Sequence, residues 1–435
     1  IVTLLRALER HWFEPASLRD LAIVRIVIAG SALVLFRPDL DWMMMLAHAE
    51  PSTFRPLPIL KLLMLPFGEW GVRPEPMFLR ALWWLYLVAA CGAVVGFATR
   101  LSLVALAWSA TLIVAHNYSY GELHHPEAIF ILAIWILACA PTGQALSLHA
   151  LRRRIDRSLG AQRFEPIRPE DEQSELARWP LRVIQWLLVL AYLSAGLSKL
   201  WRGGLQWFNG YTLAYFLIQD GVRWGSAPAL LLAPHPEVLA LLSVGSIVIE
   251  LTFALAVLVP RLAWPYVLAG TGLHIGIFVL QRATFFTFIV LYIVFIESLR
   301  RTWPRRLRAA RPAPWTVIYD GLCPLCVRTM VVLDAFDLRR RLRAVDFERD
   351  WAAAAAAAPP LSPEQARAAI HLVGPDRRVY SGFAAFRVLT RLLPVLWPFL
   401  PLVYAPLSST FGPRIYHLIA TSRGRLSCRA DTCTA

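Results

Sequence analysis

The side chains with the clearest chemistry are the thiols of Cys323 and Cys326, which lie in TVIYDGLCPLCVRTMVVLDAFD, residues 316–337. This spacing puts both sulfurs on the first turn of a helix beginning near Pro324. Free backbone N–H groups and the positive end of the helix dipole favour thiolate over thiol there. Such a pair is suited to thiol–disulfide exchange: Cys323 is the nucleophile, Cys326 resolves the mixed disulfide, and the cofactor is the redox-active disulfide itself. The same spacing also serves as half of a zinc site, but His-rich or second C-x-x-C partners are missing, and no metal is expected.

A second set of groups stands out by its surroundings. Arg25, His116, His124, His125, Lys199, Glu250 and His274 lie in or beside long apolar runs, where a charge costs roughly 2.5–3.5 kcal/mol at bilayer depth. All but two of the 44 basic residues are Arg, which singles out Lys199. Lining a shared cavity, a desolvated Lys199 could act as a base. Structural roles are open too: a snorkelling anchor for Lys199, an interhelical hydrogen bond for His274, and an ion pair of Glu250 with Arg25. Adjacent His124 and His125 cannot both easily ligate one ion.

The elements that position the thiols are legible locally. A β-branched run, Thr316–Tyr319, stops at Asp320-Gly321, and Val327, Met330 and Val331 follow with helical spacing: strand, tight turn, helix. LRAVDFE reads as a second strand, AAIHLVGPDRRVYSG as a hairpin and FAAFRVLTRLL as a helix. The Ala run 352–358 reads as a tolerated surface insertion.

The rest of the chain is membrane-like. Its 435 residues are 57% hydrophobic and 17% charged, with a mean hydropathy of +0.52, more than a soluble domain of this size needs. With that composition, the net charge of +15 suits cytoplasmic loops and anionic headgroups better than nucleic acid. Six cysteines are too few for a secreted disulfide scaffold, and no signal peptide is expected, because the first apolar run starts only at Leu21. Residues 1–20 read as an amphipathic surface helix. Apolar runs near 21–36, 77–99, 101–116, 126–143, 181–200, 236–260, 262–281 and 283–299 predict about eight spans. The expected fold is mainly α: a polytopic transmembrane helical bundle over 1–300, a basic linker over 301–314, and a small α/β thioredoxin-like domain over 315–435. Loop 144–182 holds eight Arg, whereas 117–125 holds none and 201–235 only Arg202 and Arg223. Both termini and the C-x-x-C domain are therefore expected in the cytoplasm.

Two resemblances extend this reading. Asp320-Gly-Leu-Cys323-Pro-Leu-Cys326 resembles the signature of the DCC1-like thiol-disulfide oxidoreductases, small thioredoxin-like domains, and adds Asp320 to the catalytic set. YSGFAAFRVLTRLLPVLWPFLPLV and YHLIATSRGRLSC carry the likeness toward the chain end. Thioredoxins proper keep a cis-Pro where Ala369 precedes Ile370 here. YLSAGLSKLWRGGLQWFNGYTLAYFL, LAIVRIVIAG, the segment around His124-His125 and LHIGIFVLQRATFFTFIVLY are similar to the vitamin K-dependent γ-carboxylase superfamily and its bacterial HTTM members, over about 15–300. That likeness implies Lys199 as the base that deprotonates a hydroquinone, with His125 and His274 assisting. It departs from the family at His125-Pro126-Glu127, where His-x-Tyr is expected, and the carboxylases' large lumenal domain has no counterpart.

Three functions are compatible with these residues. The first is a thiol-disulfide oxidoreductase of the bacterial inner membrane, acting on a thiol or disulfide protein or a small thiol and coupled to a quinone held by His124, His125, Glu250 and His274. The eight-span topology sets Lys199 and the thiols about one bilayer, ~30 Å, apart, so this quinone has to move. The second is a carboxylase-like or hydroquinone-epoxidising enzyme; the third is a non-enzymatic binding or export module. Cys428 and Cys433 are read as exposed thiols, with electron relay and zinc binding as alternatives.

Overall fold

The computed structural model describes residues 2–65, 73–121, 125–167, 172–302, 313–359 and 361–421. The chain forms two compact units, 1–147 with 172–308, and 148–171 with 309–435. The basic stretch 148–171, read from the sequence as part of an inter-span loop, thus folds with the second unit.

The first unit is helical. After the amphipathic α1 (Val2–Phe13) come α2 (Leu18–Val34), α3 (Pro76–Val95), α4 (Thr99–Tyr118), α5 (His125–Cys139), α6 (Arg178–Gly203), α7 (Pro236–Thr252) and α8 (Ala263–Gln281). Ser17 caps α2 by accepting the Asp20 N–H. Helix α3 ends at Gly96, whose left-handed φ of 71° closes the turn. Small residues, Ala89, Ala90 and Ala93 on α3 and Ala107 and Ala110 on α4, are buried where these helices pack closely.

Among the described residues, four helical segments are long and apolar enough to cross a membrane: Pro76–Val95, Thr99–Tyr118, Glu175–Phe208 and Pro260–Gln281. The other four apolar runs are also helical, but shorter or broken. Helices α2 and α7 have 17 residues and α5 has 15, while the last run breaks at the 3-10 turn Tyr292–Phe295.

The second unit is a four-stranded sheet of β1 (Trp315–Tyr319), β2 (Leu342–Asp346), β3 (His371–Val373) and β4 (Val379–Ser381), in the order β2-β1-β3-β4. Strand β1 runs parallel to β2 and antiparallel to β3, and β3 and β4 make the expected hairpin. Alternation along β1 serves both faces. Val317 and Tyr319 meet α9 (Pro324–Phe336), whereas Ile318 meets α10 (Trp351–Ala357) and α11 (Pro363–Ala368). One face of the Ala run is core rather than surface: Ala354 and Ala358 are fully buried, because methyl-sized side chains let α10 lie close to Ile318 and Val345, while Ala352 and Ala356 are exposed. Helix α12 (Phe383–Leu392) and α13 (Ser408–Thr421) complete the unit. The helix Leu148–Gly160 adds Leu151, Ile155 and Leu159 to the α9 side, where Phe164 is buried. Arg154 pairs with Asp334 of α9 at 2.7 Å, and Arg349 donates to the Gln162 carbonyl at 2.9 Å.

Candidate active site

Strand β1 ends at Tyr319 and α9 starts at Pro324, so residues 320–323 must turn the chain. The Asp320 carboxylate holds that turn, its Oδ1 accepting the N–H of Leu322 at 2.9 Å and of Cys323 at 3.2 Å. From β2, Asp346 Oδ1 accepts the Gly321 N–H at 3.1 Å. A Cβ at 321 would lie 1.9 Å from Asp346 Oδ2, so this close approach requires glycine. Cys323 then takes the N-cap in an extended conformation, and Pro324 occupies the first turn, where its missing N–H costs nothing.

Cys323 and Cys326 are half-buried and not joined in a disulfide. A hydrogen bond from the Cys326 side chain is the main reason that the Cys323 thiol is pushed down to about 6. Burial opposes that shift, the Cys326 and Leu325 N–H groups add to it, and the Asp320 charge opposes it. At neutral pH Cys323 is therefore a thiolate and Cys326 supplies the proton that stabilises it. Asp320 positions the thiols through its hydrogen bonds while its charge works slightly against ionisation.

An apolar groove of about 700 Å³ opens on Cys326; Thr329, Ile370, Phe386, Phe411 and Ile415 are among the residues lining it. Ile370 donates its N–H to Tyr416 Oη at 3.0 Å and ties α13 to the sheet. His371, one residue on, is satisfied on both sides: Nε2 meets the Gln365 carbonyl at 2.9 Å and Nδ1 the Ser381 hydroxyl at 2.7 Å. Burial holds its pKa below the usual imidazole range, as befits a structural histidine.

The first unit carries a second cluster of ionisable groups. Lys199 on α6 forms an ion pair with Glu250 on α7, the two side chains 24% and 6% exposed. The expected Glu250–Arg25 pair does not form. Arg25 is fully buried and instead donates to the carbonyls of Thr142 and Leu146, both at 2.6 Å, in the turn after α5 where helical carbonyls are left over. His274 on α8 shares a hydrogen bond of 2.7 Å with Tyr192 Oη, which also bonds Tyr292 Oη. Gly270, one turn before His274, makes room for these hydroxyls, since a Cβ there would lie 2.3 Å from Tyr292 Oη. His116 is buried on α4 and bonds Asn117 at 3.2 Å, away from this cluster's hydrogen bonds.

Of the residues singled out in the sequence, Asp320, Cys323 and Cys326 are brought together in the second unit. Lys199 and Glu250 form a pair in the first, and His274 on α8 belongs to a tyrosine network that shares α6 with Lys199 through Tyr192. His124, Cys428 and Cys433 lie outside the described residues, and His125 opens α5 with a side chain that is likewise outside them. Sequence reasoning missed Asp346, Tyr192 and Tyr292. Tyr192 could have been found, since it stands two helical turns before Lys199 and thus on the same face. Among the described residues, no three His, Cys, Asp or Glu converge as a metal set.

Residues 317–429 match the family model of the DCC1-like thiol-disulfide oxidoreductases, so the second unit carries a domain of that kind. No curated protein and no solved structure matches the chain.

Proposed function

We propose that the protein is an integral membrane thiol-disulfide oxidoreductase of the protein-disulfide reductase type. The Cys323 thiolate attacks one sulfur of a substrate disulfide, forming a mixed disulfide and expelling the other sulfur as a thiolate that takes up a proton. Cys326, losing its proton, then attacks Cys323 Sγ and releases the second substrate thiol. The substrate gains two electrons, and the dithiol loses two as it closes to the Cys323–Cys326 disulfide. The observation that carries this reading is the placement of the Cys323 sulfur at the start of α9, hydrogen-bonded by its own resolving partner. Asp320 is assigned as the positioning residue.

Insulin-disulfide reduction by the full chain tests it. The full chain is required because Phe164 and the helix Leu148–Gly160 belong to the core of the redox unit. Cys323→Ser abolishes turnover and Cys326→Ser accumulates a mixed disulfide; a wild-type rate in Cys323→Ser sinks the assignment.

A quinone is assigned to the first unit. Glu250 Oε2 and His274 Nδ1 are buried polar atoms with no partner among the described residues, which suits a ligand with hydroxyl or carbonyl groups. Such a ligand supplies two-electron exchange when bound; Lys199 and Glu250 then hold or move its proton, and His274, with His124 and His125, orients it. The Lys199–Glu250 pair also favours a second reading, carboxylase-like or hydroquinone-epoxidising chemistry with Lys199 as base. Lys199→Ala removes quinol-dependent turnover in either case, and only in the second does it spare electron supply to the dithiol. For a binding or export module, neither Cys323→Ser nor Lys199→Ala changes anything. A bacterial inner membrane, about eight spans and cytoplasmic termini are the placement proposed with this function.

A further inference from the structure

Between Ser381 and Thr421 the chain has no Asp or Glu, but three Arg, at 387, 391 and 414. In the same stretch Trp397, Phe399, Leu402, Leu407, Phe411 and Ile415 are each more than half exposed, and Leu402 reaches 71%. Monomeric proteins in water rarely leave so many large apolar side chains uncovered side by side. Helix α12 and the segment Pro394–Val403 together are as apolar as a membrane span, yet they bend by 120° at Leu393-Pro394, too sharply to cross a bilayer as one rod. Helix α13 is held to the sheet through few groups. Gly412 lies against Phe383, where a Cβ would come within 2.2 Å of the ring, and Tyr416 Oη binds the Ile370 N–H. Much of the rest of α13 faces outward.

We infer that this face of the redox unit docks on the surface of a bilayer rich in anionic lipid. The apolar residues enter the acyl boundary, Trp397 sits at headgroup depth, and Arg387, Arg391 and Arg414 meet lipid phosphates, with no Asp or Glu in the stretch that carries them. Charge complementarity selects the occupant. A protein partner needs no three-to-nothing excess of arginine, whereas an anionic leaflet rewards it. Arg387 and Arg391 both lie over the Tyr404 ring, at 4.4 and 4.0 Å, which holds their guanidinium groups at one end of the patch. Leu402, Leu407, Phe411 and Ile415 also line the groove that opens on Cys326. Docking therefore sets the mouth of that groove against lipid, so the molecules that reach Cys326 along it are ones that partition into membranes.

The test uses the full chain reconstituted in vesicles whose phosphatidylglycerol or, in a parallel sample, phosphatidylcholine carries a photoactivatable diazirine on its acyl chain. After irradiation, adducts are mapped by mass spectrometry, with residues 76–118 as the membrane-spanning reference. Docking gives adducts over 392–421 in phosphatidylglycerol vesicles, falling about fivefold for each arginine removed in Arg391→Gln and Arg414→Gln. Adducts confined to 76–118, equal labelling by the two lipids, or cross-links from 392–421 to a second copy of the chain in place of lipid overturn the inference. Cys323→Ser leaves the adducts unchanged, so loss of the redox assignment and loss of the docking surface are read separately.

Discussion

At Cys323 the groups that tune the sulfur lie within three residues of it in the chain, on the turn and first turn of a helix. Around Lys199 the partner is 51 residues away on another helix, and its neighbours Tyr192, His274 and Tyr292 are drawn from three separate segments. The first arrangement uses backbone N–H groups that any helix start provides, so the reactive atom can stay half-exposed and reach a large substrate. The second has to satisfy each polar group with another side chain inside an apolar bundle, where an unmatched one costs several kcal/mol. Local chemistry depends on the few residues of one turn; assembled chemistry depends on the packing of several helices.

That contrast can be tested most severely at Lys199. Lys199→Ala strands the Glu250 carboxylate in the bundle and costs about 3 kcal/mol, whereas Lys199→Met with Glu250→Leu restores most of the loss. Thermal unfolding of the first unit in detergent measures both, and additive losses would show that the pair is not a unit. In the dithiol turn the largest effect comes from Gly321→Ala, about 1–3 kcal/mol, because the new methyl group overlaps the Asp346 carboxylate. Urea unfolding of the second unit reads this change.

Two smaller changes leave the fold intact and move only ionisation. In Cys326→Ala the hydrogen-bond donor is gone, and half-maximal alkylation of Cys323 moves from near pH 6 toward the ordinary thiol value of ~8.5. The same shift has a sign for stability. Because the folded thiol ionises below its unfolded counterpart, its contribution is full above ~8.5 and fades as pH falls through about 6. The smallest effect belongs to Asp320→Asn, which keeps an oxygen for the Leu322 and Cys323 N–H groups but removes a repelling charge. Its thiol should alkylate at slightly lower pH than wild type, and a higher pH would show that the carboxylate stabilises the thiolate after all.

What could be read from the sequence follows the same division. Strand, turn and helix around Asp320-Gly321-Cys323 are legible because β-branched residues, a turn dipeptide and helical spacing occur in immediate succession. The hairpin over 371–381 is legible for the same reason. The partner of Glu250 is not, since hydropathy gives the helices without their rotation or neighbours, and Arg25 found carbonyls rather than a carboxylate. Alanines 352–358 carry no pattern that distinguishes a surface helix from one pressed against a sheet. Nor do eight apolar runs tell helices long enough to span from shorter ones such as α5. The arginines of 148–171 hid Leu151, Ile155 and Leu159, whose helical spacing was the available sign that this stretch has a core to join.

That stretch also has a history. Residues 148–171 are synthesised well before Trp315 begins the sheet they pack on, and the chain between them builds much of the helical unit. At roughly 5–20 residues per second, the helix Leu148–Gly160 waits on the order of ten seconds after leaving the ribosome before its partner strands exist. During that interval Leu151, Ile155, Leu159 and Phe164 have nothing to cover them, so the nascent protein presents a greasy, positively charged segment that chaperones or the membrane surface must shelter until translation catches up.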